Sequence, residues 1–163
     1  MNKPPYESFP SVSDEKILLR QINPAEIKDI IEISFYDAKQ ASTVMEALQM
    51  LEKINHDYLN GESIHWGIID KLTKKIVGTC GYYRGFNKGV GELGCVLLPQ
   101  YQGVGFMTQA MQLAVNFGIS DIGLKKIIAI TSPQNIKAMS LFDRLGFSKM
   151  YNEDDTVQYE FIN

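Results

Sequence analysis

The spacing best suited to holding a charged ligand lies between Gly91 and Gly118. Gln102-Gly103-Val104-Gly105 joins an apolar run (Leu93, Cys95, Val96, Leu97, Leu98) to a segment where Phe106, Met107, Ala110, Met111, Ala114, Val115 and Phe117 recur at helical intervals. Such a turn leaves the first N–H groups of a helix without partners at the positive end of its dipole, and two glycines let a ligand approach the backbone. That is an anion site, best suited to a phosphate. A Gly-x-Gly turn also joins strands to helices with no ligand at all. This one lacks both the Gly-Lys-Ser/Thr of a P-loop and the third glycine of the dinucleotide fingerprint. Other reactive side chains are few. Cys80 and Cys95 sit in apolar strand-like runs and read as free thiols in a reducing compartment rather than a disulfide. The two histidines, His56 and His65, form no cluster at metal-ligand spacing, so no metal site is expected.

The elements that must position this turn follow from periodicity. At 163 residues, with 45% apolar and 21% charged content, the chain is expected to form one domain, residues 1–163, with its own core. A net charge of −3 argues against a nucleic-acid partner. No apolar run reaches bilayer length and the N-terminus lacks a signal-peptide core, so no membrane partner and a cytoplasmic location are expected. Residues 1–13, with Pro4, Pro5 and Pro10, read as an irregular leader. Lys16 to Gln21 is a first strand. Asn23-Pro24-Ala25-Glu26 starts a helix carrying Ile27, Ile30, Ile31 and Ile33 to about Phe35, and Thr43 with Glu46 starts a second that fades at Asn60-Gly61. Strands at Ser63–Asp70 and Ile76–Arg84 flank a polar turn, and a glycine-rich turn leads to the central strand. Lys126–Thr131, a helix over Asn135–Leu145 stopped by Gly146, Phe147–Tyr151 and Val157–Ile162 complete the chain. The fold class is α/β (α+β): a mixed, mainly antiparallel sheet with helices on both faces.

In this order the chain resembles the GCN5-related N-acetyltransferases (GNAT), within them the RimJ/RimL-like branch that acetylates ribosomal-protein N-termini. Gln102 to Gly105 resembles the family's pyrophosphate loop, Glu92-Leu93-Gly94 the E-I-G that opens its central strand, and Asn135 to Phe147 its N-x-x-A/S tail ending in G-F. The resemblance spans about Ile17 to Phe161. It implies acetyl-CoA as co-substrate in a V-shaped cleft beside the central strand, an amine acceptor, and a monomer or homodimer. By the same resemblance Gly103, Val104, Gly105, Phe106 and Met107 cradle the pyrophosphate after Gln102. Val96 and Leu98 pair with the pantetheine arm along Cys95–Leu98, and Asn135 bonds that arm or caps its helix. Acceptor choice falls to the first two helices and to loops at Tyr83–Lys88 and Tyr151–Asp155, the latter with the acidic run Glu153-Asp154-Asp155.

Two departures follow from the same comparison. Met107 stands where the loop usually has Gly or Ala. Phe142 stands where many members carry the tyrosine that protonates the leaving thiolate, and Ala138 stands where the ribosomal branch carries serine. A thiol of pKa about 8.5 can leave as thiolate, so this loss is survivable. A backbone N–H near Cys95 or Val96 can hold the oxyanion. Glu92 is the expected base; Tyr82, Tyr83 and Tyr101 are candidate hydroxyls, and His65 reads as a strand residue. The expected activity is direct transfer of acetyl to a primary amine, the α-amine of a protein N-terminus or a small amine such as a polyamine or antibiotic. An acetyl-CoA-binding sensor with decayed catalysis is the alternative, and a nucleotide-binding α/β domain is disfavoured by the antiparallel hairpins.

Overall fold

The computed structural model describes residues 1–153 and 155–163, the side chain of Asn152 aside. The expectation attached to Asp154 therefore lies outside the described residues. Eight strands make one sheet: β1 (Val12–Ser13), β2 (Ile17–Arg20), and, after the small separate hairpin β3 (Phe35–Tyr36) and β4 (Lys39–Gln40), β5 (Ile64–Asp70), β6 (Ile76–Tyr83), β7 (Val90–Leu97), β8 (Lys126–Thr131), β9 (Ser148–Glu153) and β10 (Thr156–Ile162). Their order is β1-β2-β5-β6-β7-β8-β10-β9, antiparallel throughout except for β7 beside β8. Helices α1 (Val44–Leu59), α2 (Phe106–Phe117) and α3 (Ile136–Arg144) pack on it.

Strand alternation gives the sheet two cores. Ile17, Leu19, Trp66, Ile68, Cys80, Tyr82, Leu93 and Leu97 meet Phe106, Ala110, Met111, Ala114 and Val115 of α2 in one. Ile69, Ile76 and Leu98 meet Ala47 and Leu51 of α1, with Ile27, Ile30 and Ile33, in the other. Leu141 and Phe142 of α3 join the first core, where Phe142 packs on Phe147 and Tyr159.

Two expectations are corrected and one element is unanticipated. The helix expected from Ile27 to Phe35 is instead two 3-10 turns, Pro24–Asp29 and Ile31–Ile33. The capping box of Asn23 and Glu26 forms, and Glu26 also pairs with Arg20. But the buried isoleucines are 27, 30 and 33, a spacing of three that aligns on a three-residue turn, and β-branched residues favour an α-helix weakly. The hairpin of β3 and β4 has no counterpart in the sequence reading, because its turn residues Asp37 and Ala38 adopt positive φ without the usual glycine. The leader is ordered into the fold: Val12 and Ser13 pair with Leu19 and Leu18, and the Trp66 indole N–H donates to the Pro10 carbonyl.

Candidate active site

The parallel pairing of β7 with β8 is short. It joins Val90 to Lys126, Gly91 to Ile127 and Glu92 to Ile128, and there it ends. Beyond Glu92 the two strands part, β8 staying with β10 as far as Thr131. Val96 and Ile130, one on each strand beyond the parting, are both exposed. The V-shaped cleft lies here.

The ladder decides which backbone groups face it. Leu98 N–H donates to Val77 O, and the Leu98 carbonyl accepts from Tyr101 N–H. Because hydrogen-bonded pairs alternate along an antiparallel strand, Val96 and Gly94 also turn their backbone groups to β6, and Leu93, Cys95 and Leu97 turn theirs to the split. The backbone groups free to face the split are therefore those of Cys95 and Leu97, whereas Val96 and Leu98, the residues expected to pair with a cofactor arm, turn theirs to β6. The side chains of Leu97 and Leu98 are buried, so only backbone is available there.

After Pro99–Tyr101 the chain reaches Gln102, then Gly103 and Gly105 at φ of 79° and 92°. Both angles are left-handed, which explains the residue type. An added Cβ on Gly103 meets nothing within 4 Å, so the loop faces open space. Gly105 caps α2 without a side-chain bond, so no side chain occupies the first N–H groups of Phe106, Met107 and the residue after them. The cradle is built as an anion would need it. Lys16, which the sequence reading passed over, lies against the same loop: its ammonium donates to the Val104 carbonyl and sits 4.6 Å from the centre of the Phe106 ring.

A chamber of about 950 Å³ adjoins the split. His65, Thr79, Tyr83, Gly94, Cys95 and Val96 line it from the sheet, Ile27, Ile30, Ile33, Leu51 and Ile54 from the opposite side, and Tyr36, Asp37, Asp57, Glu62, Arg84 and Lys3 are also in its wall. Tyr36 donates to Asp57 Oδ2 at 3.0 Å, which raises the phenol above its usual range. His65 Nδ1 and the Tyr83 hydroxyl are 2.9 Å apart. Burial lowers His65 to about 4, so it is neutral at pH 7. Burial, reinforced by Cys80, Cys95 and Glu92, pushes Tyr83 well above the ordinary phenol value, so it is protonated.

The remaining expected residues sort themselves by contact. Glu92 sits at the last paired position before the split, with its carboxylate on the guanidinium of the exposed Arg84. The Tyr82 hydroxyl donates to Ala114 O of α2, and Tyr101 packs edge-on against Phe106, so both are structural. Cys95 and Cys80 are direct cross-strand partners and free thiols; the hydrogen bond that the Cys80 thiol gives to Cys95, with burial, pushes Cys80 upward. Asn135 Oδ1 accepts from Ala138 N–H and so caps α3, just beyond the end of β8. Phe142, which the family resemblance also sets among the cofactor contacts, is buried in the core against Phe147 and Tyr159. Among the described residues no three His, Cys, Asp or Glu converge on a metal position, and no helix is long and apolar enough to cross a membrane.

A mixed sheet that splits between two parallel strands, with a glycine cradle and a helix N-terminus at the opening, marks an acyl-group transferase. The chain belongs to the GNAT acetyltransferases: the model of the acetyltransferase (GNAT) domain matches residues 16–148. It is an N-acetyltransferase of that type, and GNAT acetyltransferases use acetyl-CoA. The uncharacterized N-acetyltransferase YoaA of Bacillus subtilis is 26% identical over 163 residues, which cover 95% of this chain and 90% of the relative. Among solved structures, the ribosomal-protein-S5-alanine acetyltransferase of Vibrio fischeri superposes with a TM-score of 0.75 at 22% identity, over 94% of this chain and 96% of that one. A dodecameric spermidine N-acetyltransferase of Vibrio cholerae gives 0.75 at 17% identity, over 91% and 95%. These two likenesses establish the fold.

Proposed function

We propose that the chain transfers acetyl from acetyl-CoA directly to the α-amine of a protein N-terminus presented in the chamber, as the RimJ/RimL-like branch does. The pyrophosphate lies on the N–H groups of Gly103 to Met107, the pantetheine arm pairs with Cys95 and Leu97, and Asn135 meets that arm from the end of β8. Cys95 N–H is the oxyanion donor. Glu92, at the head of the split, takes the first proton from the incoming ammonium through a water. The free thiols fit a cytoplasmic setting.

The observation that carries the acceptor choice is the weak basic equipment of the site. Glu92 is occupied by Arg84, and His65 is neutral down to about pH 4. An α-amine has pKa about 8 and a lysine side chain about 10.4, so an α-amine supplies about 250-fold more of the neutral form to such a site. A second reading has one specific support: Asp37, Asp57 and Glu62 in the chamber wall suit a small polycation such as a polyamine.

Release of coenzyme A thiol from acetyl-CoA, measured over N-terminal peptides, polyamines, aminoglycosides and amino acids, separates the two. Turnover confined to peptides with a free N-terminus, and lost in Glu92→Gln while acetyl-CoA still binds, supports the first reading. Turnover confined to polyamines supports the second. Acetyl-CoA binding with no turnover on any amine overturns both.

A further inference from the structure

As an amine becomes an amide its nitrogen loses two protons, and Glu92 accounts only for the first; Phe142 and Ala138 stand where an acid for the leaving thiolate is expected and supply no acceptor for the second. Two hydroxyl- and imidazole-bearing residues stand on the chamber face of the sheet, one strand apart. His65 of β5 and Tyr83 of β6 share that face because Ile64 pairs with Tyr82 and His65 with Gly81. They meet each other at 2.9 Å. The floor beneath them is cleared by glycine. A Cβ on Gly94 would come within 2.9 Å of the Tyr83 ring, and a Cβ on Gly81 within 2.4 Å of the Ile64 carbonyl. Gly94 precedes Cys95, whose N–H faces the split, so the Tyr83 ring lies over the strand that carries the reacting centre.

We infer that Tyr83 and His65 form a proton relay, Tyr83 receiving the proton of the acetylated nitrogen and passing its own to His65 Nδ1. The assignment rests on the proposed amine acetylation in this chamber. The amine nitrogen attacks the thioester carbon, the C–N bond forms, and the C–S bond breaks with its electron pair leaving on sulfur. The N–H proton moves to the Tyr83 oxygen while the Tyr83 proton moves to His65, giving imidazolium and coenzyme A thiolate. The imidazolium then returns its proton to solvent in the chamber, and the thiolate takes one from solvent. A protonated amide nitrogen is a far stronger acid than an ammonium, so a base as weak as this buried imidazole is sufficient at that stage. Before that proton arrives the pair is uncharged, since burial keeps His65 neutral and Tyr83 protonated. The charged and titratable groups around it are Glu92 with Arg84 at the strand end, Asp37, Asp57, Glu62, Tyr36 and Lys3 in the chamber wall, and the uncharged Cys80 thiol with Cys95 behind the sheet.

The test is steady-state kinetics of Tyr83→Phe and His65→Gln on the amine that the wild type turns over. Calorimetric titration of acetyl-CoA and a solvent deuterium isotope effect on kcat accompany it. Expected is a fall in kcat of about 10²-fold in each variant, with acetyl-CoA affinity unchanged. The double variant is expected to be no slower than either single one, as for groups acting as a unit. The wild-type isotope effect falls in both variants, which a purely structural pair would not produce. Should Tyr83→Phe fail to fold, His65→Gln and the wild-type isotope effect decide. Variants that bind acetyl-CoA and keep kcat within about twofold, well short of that range, overturn the relay and leave the acetylation reading standing. A wild type that binds acetyl-CoA but acetylates no amine overturns both.

Discussion

Lowering the pH from 7 to 5 should cost the wild-type protein stability that a His65→Gln variant does not lose. The folded chain holds His65 at about 4, against an ordinary 6.5, because burial beside Tyr83 on the chamber face disfavours its charged form. Between those two values the unfolded chain binds a proton at this position and the folded chain refuses it. Stability therefore rises with pH across that window and falls as the pH drops through it. The gap is worth about 3 kcal/mol in full, of which about 2 kcal/mol is lost between pH 7 and pH 5.

Other groups also become less favourable in acid, and they do so equally in both proteins. Glu26 is held below the usual carboxylate range by Arg20, and Asp70 by the Thr73 hydroxyl, so their contributions fall away at lower pH still. The difference between the two proteins isolates His65. Urea denaturation of both at pH 7, 6 and 5 gives it directly. The wild type should lose about 2 kcal/mol more than the variant, with unchanged m-values. Parallel pH dependences would show that the imidazole is not desolvated in the fold. They would also remove the reason for regarding the Tyr83–His65 pair as uncharged at rest.

Two further outcomes test the placement of individual side chains. Lys16→Met removes the ammonium from the Val104 carbonyl and from the Phe106 ring, a loss of about 1 kcal/mol, so calorimetry should find coenzyme A bound about fivefold more weakly, with most of the affinity kept in Lys16→Arg. Equal affinity in Lys16→Met would make the lysine a bystander. Phe142→Ala should lower unfolding free energy by about 3–5 kcal/mol through the cavity it leaves beside Phe147 and Tyr159, measured in urea, whereas Phe142→Leu should cost less than half of that. A mild effect of Phe142→Ala on stability combined with lost coenzyme A binding would move this residue from the core to the cofactor.

The parts of this molecule legible in its sequence are those where one periodicity runs uninterrupted. The central helix was readable over Phe106–Phe117 because its apolar residues keep the α-helical spacing behind two glycines that only a tight turn requires. Lys126–Thr131 was readable for the matching reason, a short apolar run between polar ends. The segment after Asn23 failed where spacings compete: isoleucines at 27, 30, 31 and 33 satisfy an α-helix about as well as a 3-10 turn, and burial of 27, 30 and 33 against α1 decides it. The β3–β4 turn carried no glycine to announce it. Lys16 lies 88 residues from Val104, and no local pattern reports a contact of that range.

The central strand shows a different limit. Residue types along Leu93–Leu98 are apolar throughout, so nothing in them says which alternate backbone groups face β6 and which face the split. One hydrogen bond, Leu98 N–H to Val77 O, settles the alternation for the whole strand. The same alternation decides which side chains face the chamber. Once Phe142 is buried in the core, α3 has no free hydroxyl to offer at that position. The side chains that β5, β6 and β7 turn to the chamber side are His65, Thr79, Tyr83 and Val96, with glycine at 81 and 94 and Glu92 at the strand end. Of its titratable groups, Glu92 is held by Arg84, while Tyr83 and His65 contact each other. That pairing was within reach of the sequence: a hairpin turning at Lys71–Lys75 sets residue 65 opposite 81 and leaves 83 on the same face, two positions along. The catalytic inventory of this chain is therefore better sought along the alternation of its central hairpin than in its tail helix.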